Sequence, residues 1–267
     1  MQRRNFQQVL SEAKINLRKE YDRLYYMFII DNSSGYSIYQ LCDNQFYKFP
    51  FKGTCLSLAD FNETHKFIFE QYPTDFDINY LINFCEYCYN LGFFLGIQNM
   101  FEQIHKVMDL INYKQIRNGD GPISFVEKDA AAISVSEITP QKIAYETLEY
   151  NHYSLKGDIE KKKNILISMA EYIEPKSKEL QEINKTLKNS LFYMFNNYNI
   201  RHNNKELGSN FNPILEKISN EQLEALYDLT YQLWLFSVLT VDNTQRLTTV
   251  KKIKELQEQQ KKEVNLL

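Results

Sequence analysis

Glycine and proline are scarce in this chain, with eight Gly and six Pro in 267 residues. That is too little turn chemistry for a β-sandwich or barrel, and the abundance of Lys, Glu, Leu and Ile favours long helices instead. The four cysteines, at 42, 55, 85 and 88, are too few and too unevenly placed for a secreted disulfide framework and are expected as reduced thiols. No window approaches about eighteen consecutive apolar residues, the length a membrane span needs. The opening MQRRNFQQVLSEAKINLRKEYD is polar throughout, without the apolar core of a signal peptide, so a cytoplasmic protein with no membrane partner is expected. A basic excess is also missing. The net charge is −3, and residues 1–135 hold 13 Lys+Arg against 16 Asp+Glu while residues 136–267 hold 18 against 18. Sequence-independent coating of DNA is thereby disfavoured.

What is present is an ordinary globular balance, 43% hydrophobic and 24% charged, in a chain long enough for two domains. The expected fold is mainly α. A helical N-terminal unit over residues 1–135 carries a small β-hairpin or meander, and a helical bundle occupies residues 136–267. Residues 4–21 space Phe6, Val9, Leu10, Ala13, Leu17 and Tyr21 as an amphipathic helix. Between Tyr25 and Phe51 the short apolar runs MFII, YSIYQL and FYKFPF, separated by turn residues, predict the hairpin or meander. Helix is predicted again from near Ser57, from Asp77 to Gly92, and over 98–112. The middle one is apolar nearly all round and therefore buried. It carries Cys85 and Cys88 on one face. A zinc site there would need Cys42 and Cys55, or His65, as further ligands, and core packing is the preferred reading. Residues 115–135 read as turn, strand, turn, strand and mark the domain boundary.

Beyond Pro140 the pattern is helical almost to the end. Asp158 is placed to cap a helix whose apolar face includes Ile159, Lys162, Leu166, Met169 and Ile173. The run Lys161–Lys163 in its first turn is read as a solvated face in preference to a nucleic-acid contact. Pro175 opens a further helix with the face Leu180, Ile183, Leu187, Leu191, Met194 and Phe195, ending in the Asn-rich stretch 196–199. Ser219 or Asn220 caps a helix of about twenty residues around LEALYDLTYQLWLFSVL. The polar tail from Val250 bears a narrow stripe of Val250, Ile253 and Leu256 suited to a dimer or to fraying.

The chemically suggestive stretch is Asn196-Asn-Tyr-Asn-Ile-Arg-His-Asn-Asn204. Metal-independent RNA cleavage needs a base for the 2′-OH proton, an acid for the leaving oxygen and a cation for the phosphate. Histidine is the side chain whose ordinary titration range lies nearest neutral pH, so His202 can be base or acid. Arg201 can clamp phosphate, and Asn197, Asn203 and Asn204 can orient a ribose or the imidazole. One His cannot easily be both acid and base, and a symmetric dimer presenting the line twice would supply the second. Capping and dipole complementarity at a helix C-terminus are the plain alternative for such a line.

EYNHYSLKGDIEKKKNIL at 149–166, NNYNIRHNN at 196–204 and the closing LEALYDLTYQLWLFSVL together resemble the C-terminal domain of AbiJ-like abortive-infection proteins of the HEPN superfamily. FPFKGTCLSLADF and INYLINFCEYCYNLG are similar to the region that precedes it. The resemblance implies a bundle of four to five helices, a homodimer, and a metal- and cofactor-independent ribonuclease that halts a phage-infected cell. It assigns Arg201, His202 and Asn203 to catalysis, with Asn197, Asn204, Lys205, His152 and Lys156 as supporting RNA contacts. A phage component or an antitoxin protein is the implied partner. HEPN nucleases place a His after four to six intervening residues, where this chain has Glu206, Leu207 and Gly208, and the histidine here is adjacent at 202, as in AbiJ-like proteins. Successive helical residues point about 100° apart, so the pair can share a phosphate only if the helix has ended before it. A non-catalytic RNA- or protein-binding module is the other reading, and a sensor surface built from the aromatics of residues 25–51 is a third.

Overall fold

The computed structural model describes residues 15–30, 35–98, 100–206, 208 and 210–264. The chain divides into two compact units, residues 1–128 and 129–267. Both are mainly helical.

In the first unit, α1 (Leu17–Tyr25) starts where the Asn16 side chain accepts from the Lys19 N–H, and it runs directly into a π-helical turn, Tyr26–Ile30. Most of the helix expected over 4–21 lies outside the described residues. Among the described residues of 25–51 there is no strand of the expected hairpin or meander, and Tyr26–Ile30 and Ile38–Lys48 are helical. After the π turn comes α2 (Ile38–Gln45), then a 3-10 turn, Phe46–Lys48. The reason is local. Ser37 and Gln40 make a reciprocal capping box, with the Ser37 N–H donating to Gln40 Oε1 at 2.9 Å and the Gln40 N–H to Ser37 Oγ at 3.2 Å. Ile38, Cys42 and Phe46, spaced four apart, then all enter the core. The period of burial is helical even though the residue types favour strand.

α3 (Leu58–His65) is capped by Ser57, and α4 (Ile78–Leu95) by Asp77, whose carboxylate accepts from the Tyr80 N–H at 2.8 Å. α4 is the axis of this unit and buries Leu81, Phe84, Cys85, Cys88 and Leu91 among others. Burial pushes the Cys85 and Cys88 thiols upward in pKa, and Cys42 to about 12, so all three stay protonated at neutral pH. Among the described residues no cluster of His, Cys, Asp or Glu could hold a metal. α4 ends at Gly96, whose φ of +74° suits glycine. After α5 (Phe101–Leu110), β1 (Tyr113–Arg117) and β2 (Ile123–Glu127) pair antiparallel, Tyr113 opposite Glu127. The other edge of β2 is held by α4. The Asn90 amide bonds both the N–H and the C=O of Ile123 at 2.7 Å, and Glu86 Oε1 accepts from the Phe125 N–H at 2.6 Å.

The strand expected after this hairpin, over AAAISV, is instead α6 (Ala130–Ile138), the first element of the second unit. Asp129 caps it by accepting from the N–H groups of Ala131 and Ala132, and three successive alanines suit a helix. α7 (Gln141–Glu149) and α8 (Ile159–Ile173) follow, the latter capped by Asp158. The single helix expected after Pro175 is two, α9 (Ser177–Ile183) and α10 (Lys185–Asn197). Asn184, extended at φ −150° and ψ 87°, breaks the run and caps α10 by accepting from the Leu187 N–H. The final helix, α11 (Asn220–Val264), opens on a capping box between Ser219 and Gln222 and continues for 45 residues, well beyond the twenty expected. Its first half is the centre of the bundle, with Tyr227, Tyr231 and Trp234 fully buried. The Trp234 indole donates to the Met169 carbonyl at 2.9 Å, tying α11 to α8. Past Val241, Leu247, Val250, Ile253 and Leu256 are all exposed. Among the described residues no helix is long and apolar enough to cross a membrane.

Candidate functional site

The Arg-His line is shaped by what terminates α10. The last carbonyls of a helix have no partner within it, and here asparagine amides and the returning chain supply them. Asn197 Nδ2 donates to the Tyr193 carbonyl, the Tyr198 N–H to Met194, the Arg201 N–H to Phe195, Asn204 Nδ2 to Asn196, and Asn212 Nδ2 to Asn197. Asn199 takes the left-handed conformation at φ +57°, which asparagine tolerates better than most residues. The helix has therefore ended before Arg201, and Arg201 and His202 lie in a bend beyond it.

Each predicted residue can be placed. The Arg201 guanidinium is about three-quarters buried and meets Glu174, just after α8, with Nη2 at 2.7 Å from both carboxylate oxygens. His202 and Asn203 are exposed, and Asn203 Oδ1 accepts weakly from the Lys205 N–H at 3.4 Å. Asn204 is 1% exposed and fully engaged. Its Oδ1 accepts from the Asn199 N–H, and its Nδ2 donates to the carbonyls of Asn196 and Asn210 at 2.9 and 2.6 Å. Asn204 therefore staples the loop and cannot reach a ribose. Asn197 is partly exposed, with one amide N–H turned back on its own helix.

Lys205 and Lys156 are brought together across a surface groove of about 600 Å³ at the start of α8, lined also by Asp158, Glu160 and Asn220. Arg201 is not part of it. The 15 residues of α8 separate the Asp158 end from the Glu174 end by about 22 Å of helix axis. His152 caps the short turn Tyr153–Leu155, its Nδ1 lying 2.7 Å from Ser154 Oγ.

A polar cluster that the sequence reading did not single out lies beside the groove. Lys162 is buried, with Nζ at 2.7 Å from both Glu224 and Asp228 of α11, so it is not the solvated cation expected of the Lys161–Lys163 run. Glu224 also accepts from the Gly157 N–H at 2.9 Å. Burial works against its charge, but the Lys162 and Gly157 hydrogen bonds outweigh this and lower its pKa. Tyr150 donates to Asp228 at 3.1 Å and stacks on Tyr231 with ring centres 4.1 Å apart. Burial and the adjacent Asp228 carboxylate raise the Tyr150 pKa and keep its hydroxyl protonated. One signal was available in the sequence. A lysine on the apolar face of one helix and an acid within the apolar stretch LEALYDLTYQLW of another each need a buried partner.

Comparison with family models, curated proteins and solved structures finds no match for this chain.

Proposed function

We propose that the second unit is a metal-independent endoribonuclease of the HEPN type, acting as a homodimer in bacterial abortive infection and released by a phage component or the loss of an antitoxin protein. The observation that carries this reading is an exposed imidazole, His202, next to a guanidinium whose direction is set by a carboxylate, Arg201 on Glu174. In the reaction, neutral His202 of one copy takes the 2′-OH proton as the 2′-oxygen attacks phosphorus. Protonated His202 of the other copy gives a proton to the departing 5′-oxygen. Arg201 steadies the charge gathering on the phosphate oxygens, and Asn203, exposed beside the imidazole, contacts the ribose. Lys156 and Lys205 guide the strand farther along as solvated positive charges.

The resemblance of 149–166 and 196–204 to AbiJ-like proteins is the second support. Expression of the intact chain is expected to arrest growth, and His202→Ala to relieve the arrest while leaving the melting temperature within about 1 °C. Growth arrest equal for the two proteins at equal level overturns the reading.

One observation favours a second reading, a non-catalytic RNA- or protein-binding module. Arg201 is already neutralised by Glu174, and it does not line the groove that holds Lys156 and Lys205. On that reading His202→Ala protein binds RNA as the intact chain does, and neither cleaves it.

A further inference from the structure

The geometry points to a second binding site, in the first unit, for a planar heteroaromatic small molecule of one or two fused rings whose edge carries a hydrogen-bond donor beside an acceptor. The site is a pocket of about 340 Å³, within the size range of small-molecule sites. One wall is a continuous succession of rings. Phe51 meets Phe49 at 5.7 Å between centres, Phe49 meets Phe61 at 5.7 Å, Phe61 meets Phe67 at 5.6 Å and Phe67 meets Tyr87 at 5.3 Å. Phe51 is 37% exposed and forms the mouth. Such a wall offers ring faces and edges to a flat apolar body.

The pocket is also lined by the polar stripe of α4. On a helix otherwise apolar nearly all round, Asn83, Glu86 and Asn90 recur at intervals of three and four and all line the pocket. Two of the three have a structural task, because Asn90 and Glu86 hold the outer edge of β2. Asn83 has none. Its amide has no hydrogen-bond partner among the described residues and stands at the pocket with one donor and one acceptor side by side. Half-buried at the pocket, this free amide is matched by a ligand edge of complementary order, acceptor to its Nδ2 and donor to its Oδ1. Every lining residue belongs to the first unit, so the site stands apart from the RNA reading.

The test uses the intact chain and three probes in calorimetric titration. They are isoquinolin-1(2H)-one, which has the flat body and the donor–acceptor edge, isoquinoline, which lacks the donor, and cyclohexanecarboxamide, which has the edge without the flat body. The lactam is expected to bind about tenfold tighter than isoquinoline, the worth of one or two added hydrogen bonds, and the carboxamide not measurably. Asn83→Ala should erase the tenfold preference, weakening the lactam, which loses both hydrogen bonds, more than isoquinoline, which loses only the one its ring nitrogen accepts. Ser124→Trp fills the pocket from β2 and should abolish binding of both ring compounds. If that variant does not fold, Phe51→Ala at the exposed mouth should weaken both at least threefold. Equal binding of the lactam and isoquinoline, a preference that survives Asn83→Ala, or no lactam binding up to its solubility limit overturns the assignment.

Discussion

Replacing Lys162 by methionine removes the cation that Glu224 and Asp228 share while keeping most of the side-chain volume. The Lys162 side chain is 7% exposed, that of Glu224 16% and that of Asp228 47%. Removing one partner of a buried ion pair costs about 3–5 kcal/mol, mainly because the remaining charge stays desolvated. The low end applies here, since Glu224 keeps the Gly157 N–H and Asp228 keeps both Tyr150 and access to water. A loss of about 3 kcal/mol corresponds to a fall in melting temperature of roughly 6–12 °C for a chain of this size. The double variant Lys162→Met/Glu224→Gln, which also removes the stranded charge, should regain about half of that loss by chemical denaturation. The pH dependence has a definite sign. The Glu224 pKa is lowered in the folded state, so its contribution is present above the ordinary carboxylate range and is lost as pH falls through the folded value. The gap between wild type and Lys162→Met should therefore narrow below about pH 4. A cost under about 0.5 kcal/mol at pH 7, or a double variant less stable than Lys162→Met, would refute the reasoning.

Asn204→Ala strips three hydrogen bonds from a buried loop and should cost about 2 kcal/mol, with faster amide exchange over residues 196–206 by mass spectrometry. Glu174→Ala frees the Arg201 guanidinium at a half-exposed ion pair, so stability should change by less than about 1 kcal/mol. If Glu174 positions Arg201, kcat for RNA cleavage falls about tenfold while KM holds, and a purely structural pair would move neither. Gly92→Ala would place a Cβ 2.5 Å from the Ile97 carbonyl oxygen and 2.7 Å from the Phe101 ring, backbone included, and should lower stability by about 1–3 kcal/mol in urea.

The helix starts were the most legible part of the fold, because a cap is a local event. Ser57, Asp77, Pro140, Asp158 and Ser219 stand at the beginnings that their chemistry implies. The fold departs from the residue-type pattern where residue type and burial period disagree. Residues 25–51 are rich in aromatic and β-branched side chains, yet Ile38, Cys42 and Phe46 are buried at helical spacing. Helix length departs from the apolar pattern at both kinds of boundary. One cap, Asn184, splits a continuous apolar pattern, and conversely α11 continues through a polar tail where the pattern alone suggests a stop. At the candidate site the sequence located the end of α10 and the bend carrying Arg201 and His202. It did not indicate that Asn204 would be buried, or that Glu174 would hold Arg201 from 27 residues away. Partners so distant along the chain are set by packing, which spacing within one helix does not report. The same holds for Lys162, whose carboxylates lie more than 60 residues on.

The central proposal is tested most directly by the ends of the RNA fragments. Attack by the 2′-oxygen leaves a 2′,3′-cyclic phosphate and a 5′-hydroxyl and needs no metal. The intact chain incubated with a single-stranded RNA in EDTA should yield those ends, a 2′-deoxy substitution at the cut should block cleavage there, and His202→Ala should reduce the rate at least a hundredfold. Intact RNA after incubation with folded wild-type protein, or His202→Ala cutting at the wild-type rate, would contradict the account.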